Sequence, residues 1–118
     1  MAVFEVNGGR QLHGEITPQG AKNEALQVIC ATLLTAERVT LRNVPEIVDV
    51  IQLIELLRNL GVEIERTGEG EYTFSAANID IDYLKTEDYR QRGAKLRGSV
   101  MVIGPLLARF GVAYLPKP

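Results

Sequence analysis

Apolar and polar positions alternate at the start of the chain, first in Val3-Phe4-Glu5-Val6 and again over residues 12–16. Asn7-Gly8-Gly9 lies between them and tolerates positive φ, so the pattern predicts an opening β-hairpin that Pro18 and Gly20 end. The period then changes. Over residues 21–34 the apolar positions Leu26, Val28, Ile29, Ala31, Leu33 and Leu34, with Ala25 and Cys30, predict a helix buried on most sides. Residues 39–44 read as a strand with β-branched side chains at alternate positions, closed by Pro45. Asp49 is expected to cap a second helix, with Gln52 at the capping-box position. Val50, Leu53, Ile54, Leu57 and Leu60 keep helical spacing there, and Gly61 suits its end.

Residues 62–65 and 72–75 read as antiparallel partners around a turn at 67–71. Residues 78–92 are polar with scattered apolar positions, which predicts irregular structure with one short helix near Tyr83. A last helix is expected over residues 94–110, bent by Pro105 and ended by Gly111, before a strand opens at 112–115. From residue 21 the order is helix, strand, helix, strand, strand, helix, strand. That is an α/β pattern with a mixed sheet. The second helix-to-strand passage matches the first in spacing, which points to a structural repeat. The chain stops at Pro116-Lys117-Pro118, directly after a strand with nothing to cover it, so a truncated chain is expected.

Composition adds limits. A length of 118 residues suits one small domain or a piece of a larger one, and 46% hydrophobic residues supply a core without staples. Lys plus Arg number 13 against 15 Asp plus Glu, a net charge of -2, so neither nucleic acid nor a membrane surface is expected as a partner. Cys30 is the single cysteine and His13 the single histidine, which excludes an internal disulfide and makes a zinc site implausible. Residues 1–10 do not resemble a signal peptide, and no apolar run reaches membrane-spanning length. A cytoplasmic setting is expected.

Candidate chemistry sits at helix starts. Lys22 and Asn23 follow a glycine turn and precede a buried helix, where unpaired N–H groups and the dipole favour an anion. Lys22 would add a full charge and Asn23 both donates and accepts. The same residues also fit a solvated first turn. Arg97, in Leu96-Arg97-Gly98-Ser99, places a second cation at the start of the last helix, where it would join Lys22 on one anionic ligand or sit at the surface. Arg109 in a last helical turn reads as structural, favoured by the helix C-terminus. Cys30 reads as a buried inert thiol and His13 has no role. Glu63, Glu65, Glu69, Glu71, Asp80 and Asp82 read as a solvated surface.

The motifs together are more specific. Gly20-Ala21-Lys22-Asn23 with Ala25-Leu26, then Asn43-Val44-Pro45, Asp49-Val50, Leu60-Gly61, Arg97-Gly98-Ser99 and Gly104-Pro105-Leu106-Leu107-Ala108-Arg109-Phe110-Gly111 resemble the UDP-N-acetylglucosamine 1-carboxyvinyltransferases, a family of enolpyruvyl transferases. The resemblance runs through essentially the whole chain and covers only the N-terminal part of such enzymes. It implies transfer of the enolpyruvyl group of phosphoenolpyruvate to the 3-hydroxyl of UDP-N-acetylglucosamine, with release of phosphate and no metal or organic cofactor. This is the first committed step of peptidoglycan synthesis. The implied fold is two similar domains, each an inside-out α/β barrel of three βαβαββ units, with the site in the cleft between them.

On that plan residues 1–20 form a hairpin belonging to the other domain, and residues 21–118 the first unit and the start of the second. Lys22 and Asn23 match the family's pair that contacts phosphoenolpyruvate and the sugar nucleotide, and Arg97 its arginine that meets the anionic substrate. The loop carrying the general acid, Cys or Asp, would follow the strand at 112–115, beyond Pro118. No catalytic residue is therefore expected within this chain, and Cys30 does not match the loop cysteine. The chain alone is expected to lack turnover and to self-associate through exposed sheet edges and apolar faces. Two other readings stay open: a small non-catalytic binding or scaffolding module, and an enzyme like 3-phosphoshikimate 1-carboxyvinyltransferase. The abrupt end counts against the first, Asn23 and Ala108-Arg109-Phe110-Gly111 against the second.

Overall fold

The computed structural model describes residues 2–115, with the backbone alone at Arg97 and Gly98. Helix α1 spans Lys22–Ala31 and buries Leu26, Ile29 and Cys30 before tightening into a 3-10 turn, Thr32–Leu34, that buries Leu33. Its burial is one-sided. Val28 and Leu34 are 39% and 50% exposed, because α1 has neighbours on one face only, and the expectation of burial on most sides is corrected. Strand β1, Arg38–Leu41, stops short of Val44 because Asn43 takes φ 56° and the Val44 N–H turns to the Gly70 carbonyl, 2.9 Å away.

Helix α2, Val48–Leu60, carries the centre of the core: Val50, Leu53, Ile54, Leu56, Leu57 and Leu60 are buried at helical spacing. The residue before it, Ile47, is extended and no side chain caps the helix. Asp49 is thus not the cap that the spacing predicts; it lies in the first helical turn, and the capping box with Gln52 does not form. At the other end Gly61 takes φ 110°, with its N–H on the Arg58 carbonyl and the Val62 N–H on that of Leu57. This Schellman arrangement satisfies two orphan carbonyls. A Cβ at Gly61 would stand 2.4 Å from the Asn78 carbonyl oxygen. Gly61→Ala combines that clash with left-handed backbone strain and is expected to cost about 2 kcal/mol. The check is the urea midpoint; a loss well under about 1 kcal/mol would show that residues 78–80 yield freely.

Strands β2, Glu63–Gly68, and β3, Glu71–Ser75, pair antiparallel, and β3 lies between β2 and β1 in the order β1-β3-β2. Strands β1 and β2 therefore run the same way, as a helix-connected pair does, but β3 inserts between them and both ladders are antiparallel rather than mixed. One face carries Val39, Leu41, Ile64, Tyr72 and Phe74 toward the core. The other carries Thr40, Thr73, Glu63 and Glu65 outward, so the two glutamates lie on the solvated face as the sequence predicts.

Four further expectations are corrected. Residues 2–20 form no strands, and Val3, Phe4, Val6, Leu12 and Ile16 are 89–93% exposed. An isolated hairpin is marginal in water, and nothing here covers its apolar side chains. Between residues 78 and 96 the chain is more ordered than its polarity suggests. A 3-10 turn, Ile81–Lys85, leads into helix α3, Glu87–Lys95, whose cap is Thr86: its hydroxyl oxygen accepts from the Tyr89 N–H at 3.2 Å. Only Tyr89 and Gly93 of α3 are buried, too few to set an apolar period.

The last helix is not one bent rod. Leu96 is extended, Arg97–Val102 is 3-10, and helix α4 spans only Ile103–Phe110. Pro105 has no N–H for the carbonyl four residues back, so the α-ladder cannot extend through it, and the preceding turns close at the shorter spacing. Gly111 ends α4 at φ 74° as predicted. Finally, residues 112–115 form no strand; the Tyr114 carbonyl accepts from the Tyr89 hydroxyl at 2.9 Å instead. Among the described residues no helix is long and apolar enough to cross a membrane.

Candidate functional site: the opening of the first helix

Helix α1 begins without a side-chain cap, and the first helical hydrogen bond runs from the Ala25 N–H to the Ala21 carbonyl at 3.0 Å. The first N–H groups of the helix have no intrahelical acceptor, and the side chains of Lys22 and Asn23 beside them are exposed. The Lys22 ammonium lies 2.5 Å from the Asp49 carboxylate, with the two side chains 49% and 41% exposed. This pair brings the N-terminal ends of α1 and α2 together. Asp49 was expected in a capping role, and the sequence carries no signal for its pairing with a residue so far away. An exposed pair of this kind contributes at most about 1 kcal/mol to stability, so its main effect is to orient the ammonium. It also offsets part of the charge, and a doubly charged anion seated here needs a further cation.

Arg97 opens the 3-10 segment, Arg97–Val102, that packs against α1. The side chain of Arg97 lies outside the described atoms. Ser99, beside it in sequence, is buried and donates to the Gly93 carbonyl at 2.7 Å. Its hydroxyl is spent on folding the segment.

The seat of the α1 opening is a wall formed by residues 43–46. A Cβ on Gly20 would stand 2.0 Å from the Asn43 carbonyl oxygen and 3.1 Å from the Pro45 ring, so only glycine permits this approach. The wall is in turn fixed by Glu46, which the sequence did not single out. Its carboxylate accepts from Arg66 Nε at 2.8 Å and Nη2 at 2.9 Å, from the Gly70 N–H at 2.9 Å and from the Tyr72 hydroxyl at 2.5 Å. These partners lie 20 to 26 residues ahead, on β2, β3 and the turn between them, beyond the reach of any local pattern. The Arg66 and Tyr72 hydrogen bonds, then that of Gly70, hold the carboxyl down from 4.5 to about 2. Burial, then the bond to Glu46, pushes the Tyr72 phenol up.

A carboxylate lowered in the folded state stabilises above its unfolded pKa and loses that contribution as pH falls through the folded value. Stability is therefore expected to drop between about pH 4.5 and about pH 2 through Glu46. The measurement is urea unfolding across that window for the parent and for Glu46→Gln. The two curves should converge toward acid, and a gap independent of pH would refute the assignment.

Arg109 is structural, as expected, though through its own hydrogen bonds. Its Nη1 reaches the carbonyls of Leu33 at 2.9 Å, Thr35 at 3.3 Å and Ala76 at 2.7 Å, while its guanidinium carbon lies 4.7 Å from the Phe110 ring centroid. Cys30 is buried, and desolvation pushes its thiol up to about 12, so it is inert. His13 lies exposed in the segment before α1. A groove of about 380 Å³ between α2 and α3 has Glu55, Asp88, Arg92 and Lys95 on its walls. Arg92 is paired with Asp88 at 3.0 Å, so the groove offers an anion no net attraction. Among the described residues no group of three or more His, Cys, Asp or Glu is placed to hold a metal ion.

The profile of the EPSP synthase (3-phosphoshikimate 1-carboxyvinyltransferase) family matches residues 6–116. The chain is 56% identical to the UDP-N-acetylglucosamine 1-carboxyvinyltransferase of Bacteroides fragilis, 54% to that of Bacteroides thetaiotaomicron and 52% to that of Porphyromonas gingivalis. Each of these matches covers 100% of this chain and 27% of the relative. The crystal structure of the enolpyruvyl transferase NikO from Streptomyces tendae superposes with a TM-score of 0.65 at 25% identity, over 90% of this chain and 24% of that one.

Proposed function

This chain belongs to the EPSP synthase (3-phosphoshikimate 1-carboxyvinyltransferase) family, and on that premise we propose that it is part of an enzyme transferring the enolpyruvyl group of phosphoenolpyruvate to the 3-hydroxyl of UDP-N-acetylglucosamine. The observation that carries this reading is the 52–56% identity over all 118 residues to enzymes named for that reaction. The same observation favours a nucleotide-sugar acceptor over shikimate 3-phosphate. The reaction releases phosphate and serves cytoplasmic peptidoglycan precursor synthesis, and hence cell shape and division.

In this proposal Lys22 and Asn23 bind substrate from the uncapped start of α1, and Arg97 supplies the second cation beside them. Addition of the sugar hydroxyl to phosphoenolpyruvate gives a tetrahedral intermediate that keeps both phosphate and carboxylate. Fixed cations and helix N–H groups stabilise that charge without rearranging. Asp49 holds Lys22 in place until the anion arrives. Residues 2–20, whose apolar side chains are exposed here, belong with the other domain, and residues 21–118 with one barrel. The chain spans 27% of the length of the relatives it matches, so turnover needs the rest of the protein. Alone, it self-associates through the edges of β1 and β2.

The test is a graft in which this chain replaces the aligned residues of the Bacteroides fragilis relative. Phosphate release with phosphoenolpyruvate and UDP-N-acetylglucosamine is expected to stay within about tenfold of the parent's kcat/KM, and to be absent with shikimate 3-phosphate. A folded graft that releases no phosphate with the nucleotide sugar would exclude the reading.

A further inference from the structure

Glu46 lies between two features that share no residue. On one side it accepts four hydrogen bonds from Arg66, Gly70 and Tyr72, which tie it to the β2–β3 hairpin. The Val44 N–H adds a bond to the Gly70 carbonyl at 2.9 Å, and a Cβ on Gly70, which takes φ 66°, would stand 3.1 Å from the Val44 carbonyl. The loop of residues 43–46 is thus stapled to the tip of the hairpin. On its other side the same loop is the wall against which Gly20 rests, two residues before Lys22. Three residues after Glu46, Asp49 grips the Lys22 ammonium. No side chain caps α1, so the loop and Asp49 are what fix where the helix begins.

We propose that Glu46 is a positioning residue for the substrate site: by clamping residues 43–49 to the hairpin it sets the place and direction of the α1 opening, and so of Lys22 and Asn23. The functional half of this inference rests on the proposed reaction. Glu46 touches no substrate; it acts through the loop. Removing its charge releases Arg66 and Tyr72, and the loop then follows the hairpin less closely. Lys22 then moves relative to the phosphate it meets.

The experiment compares Glu46→Gln with Leu84→Val in the grafted enzyme. Leu84 is buried in the 3-10 turn before α3, away from the α1 opening, and serves as a purely structural loss of stability. A structural role alone lowers the folded fraction, and with it kcat, without moving KM. The expected result for Glu46→Gln is a rise of about tenfold in KM for phosphoenolpyruvate, with Leu84→Val leaving KM unchanged. Hydrogen exchange of a peptide covering residues 20–31 should be faster in Glu46→Gln and unchanged in Leu84→Val. A KM within twofold of the parent in Glu46→Gln overturns the inference. If the graft with Glu46 intact has no turnover, the reaction assigned above fails instead, and exchange alone decides: unchanged exchange over residues 20–31 in Glu46→Gln overturns the positioning role.

Discussion

Lys22→Ala in the grafted enzyme is expected to lower kcat/KM by about two decades, equivalent to about 2.7 kcal/mol of transition-state stabilisation. Lys22 is the first residue of the uncapped helix α1, where a phosphate or carboxylate gains from charge and dipole together. Removing it also leaves the Asp49 carboxylate unopposed beside the anion, which turns a neutralised site repulsive. Arg97→Ala should behave alike if the second cation belongs to the same site. Lys22→Ala should barely move the melting temperature, because the Lys22–Asp49 pair is half exposed and contributes at most about 1 kcal/mol. This split between function and folding is the readout. A loss below about threefold in both variants would remove the helix opening from the substrate site.

Arg109→Met should be the most destabilising of the changes considered, at about 3 kcal/mol by urea unfolding. One guanidinium nitrogen bridges three carbonyls: Leu33 and Thr35 at the end of the first helical segment, and Ala76 just after β3. Methionine keeps an apolar stem of similar length but removes the guanidinium over Phe110 and leaves three part-buried acceptors without their charged donor. The link between α4, the end of α1 and the sheet then depends on water. A cost under about 1 kcal/mol would mean that water replaces the donor with little loss.

The parts of this fold that were legible in the sequence are those decided within a turn or two of chain. The α2 period from Val50 to Leu60, the Gly61 and Gly111 terminations and the β2–β3 hairpin all depend on near neighbours, and all stand where the pattern put them. The buried, inert Cys30 follows from the same apolar run. The misses have a common cause. Helix α3 is held by its Thr86 cap and the burial of Tyr89, not by an apolar period; the Thr86-Glu87-Asp88 opening was the available sign. The hairpin at residues 2–20 has the alternation of strands but no surface here to pack on, and alternation without a partner gives no sheet.

The candidate site divides the same way. Sequence by itself determined that a cation and an amide stand at the start of a helix after a glycine, because Gly20-Ala21-Lys22-Asn23 is one continuous stretch at the helix opening. It also determined the α/β alternation and the kinship with enolpyruvyl transferases. Only the tertiary structure decided that Asp49 holds Lys22, that Gly20 rests on the Asn43 carbonyl and that Glu46 ties this wall to Arg66 and Tyr72. Those contacts join residues twenty or more apart. Local propensity carries no information about them; they exist because packing α1 on α2, and α2 on the sheet, brings distant polar groups together, where each must find a partner.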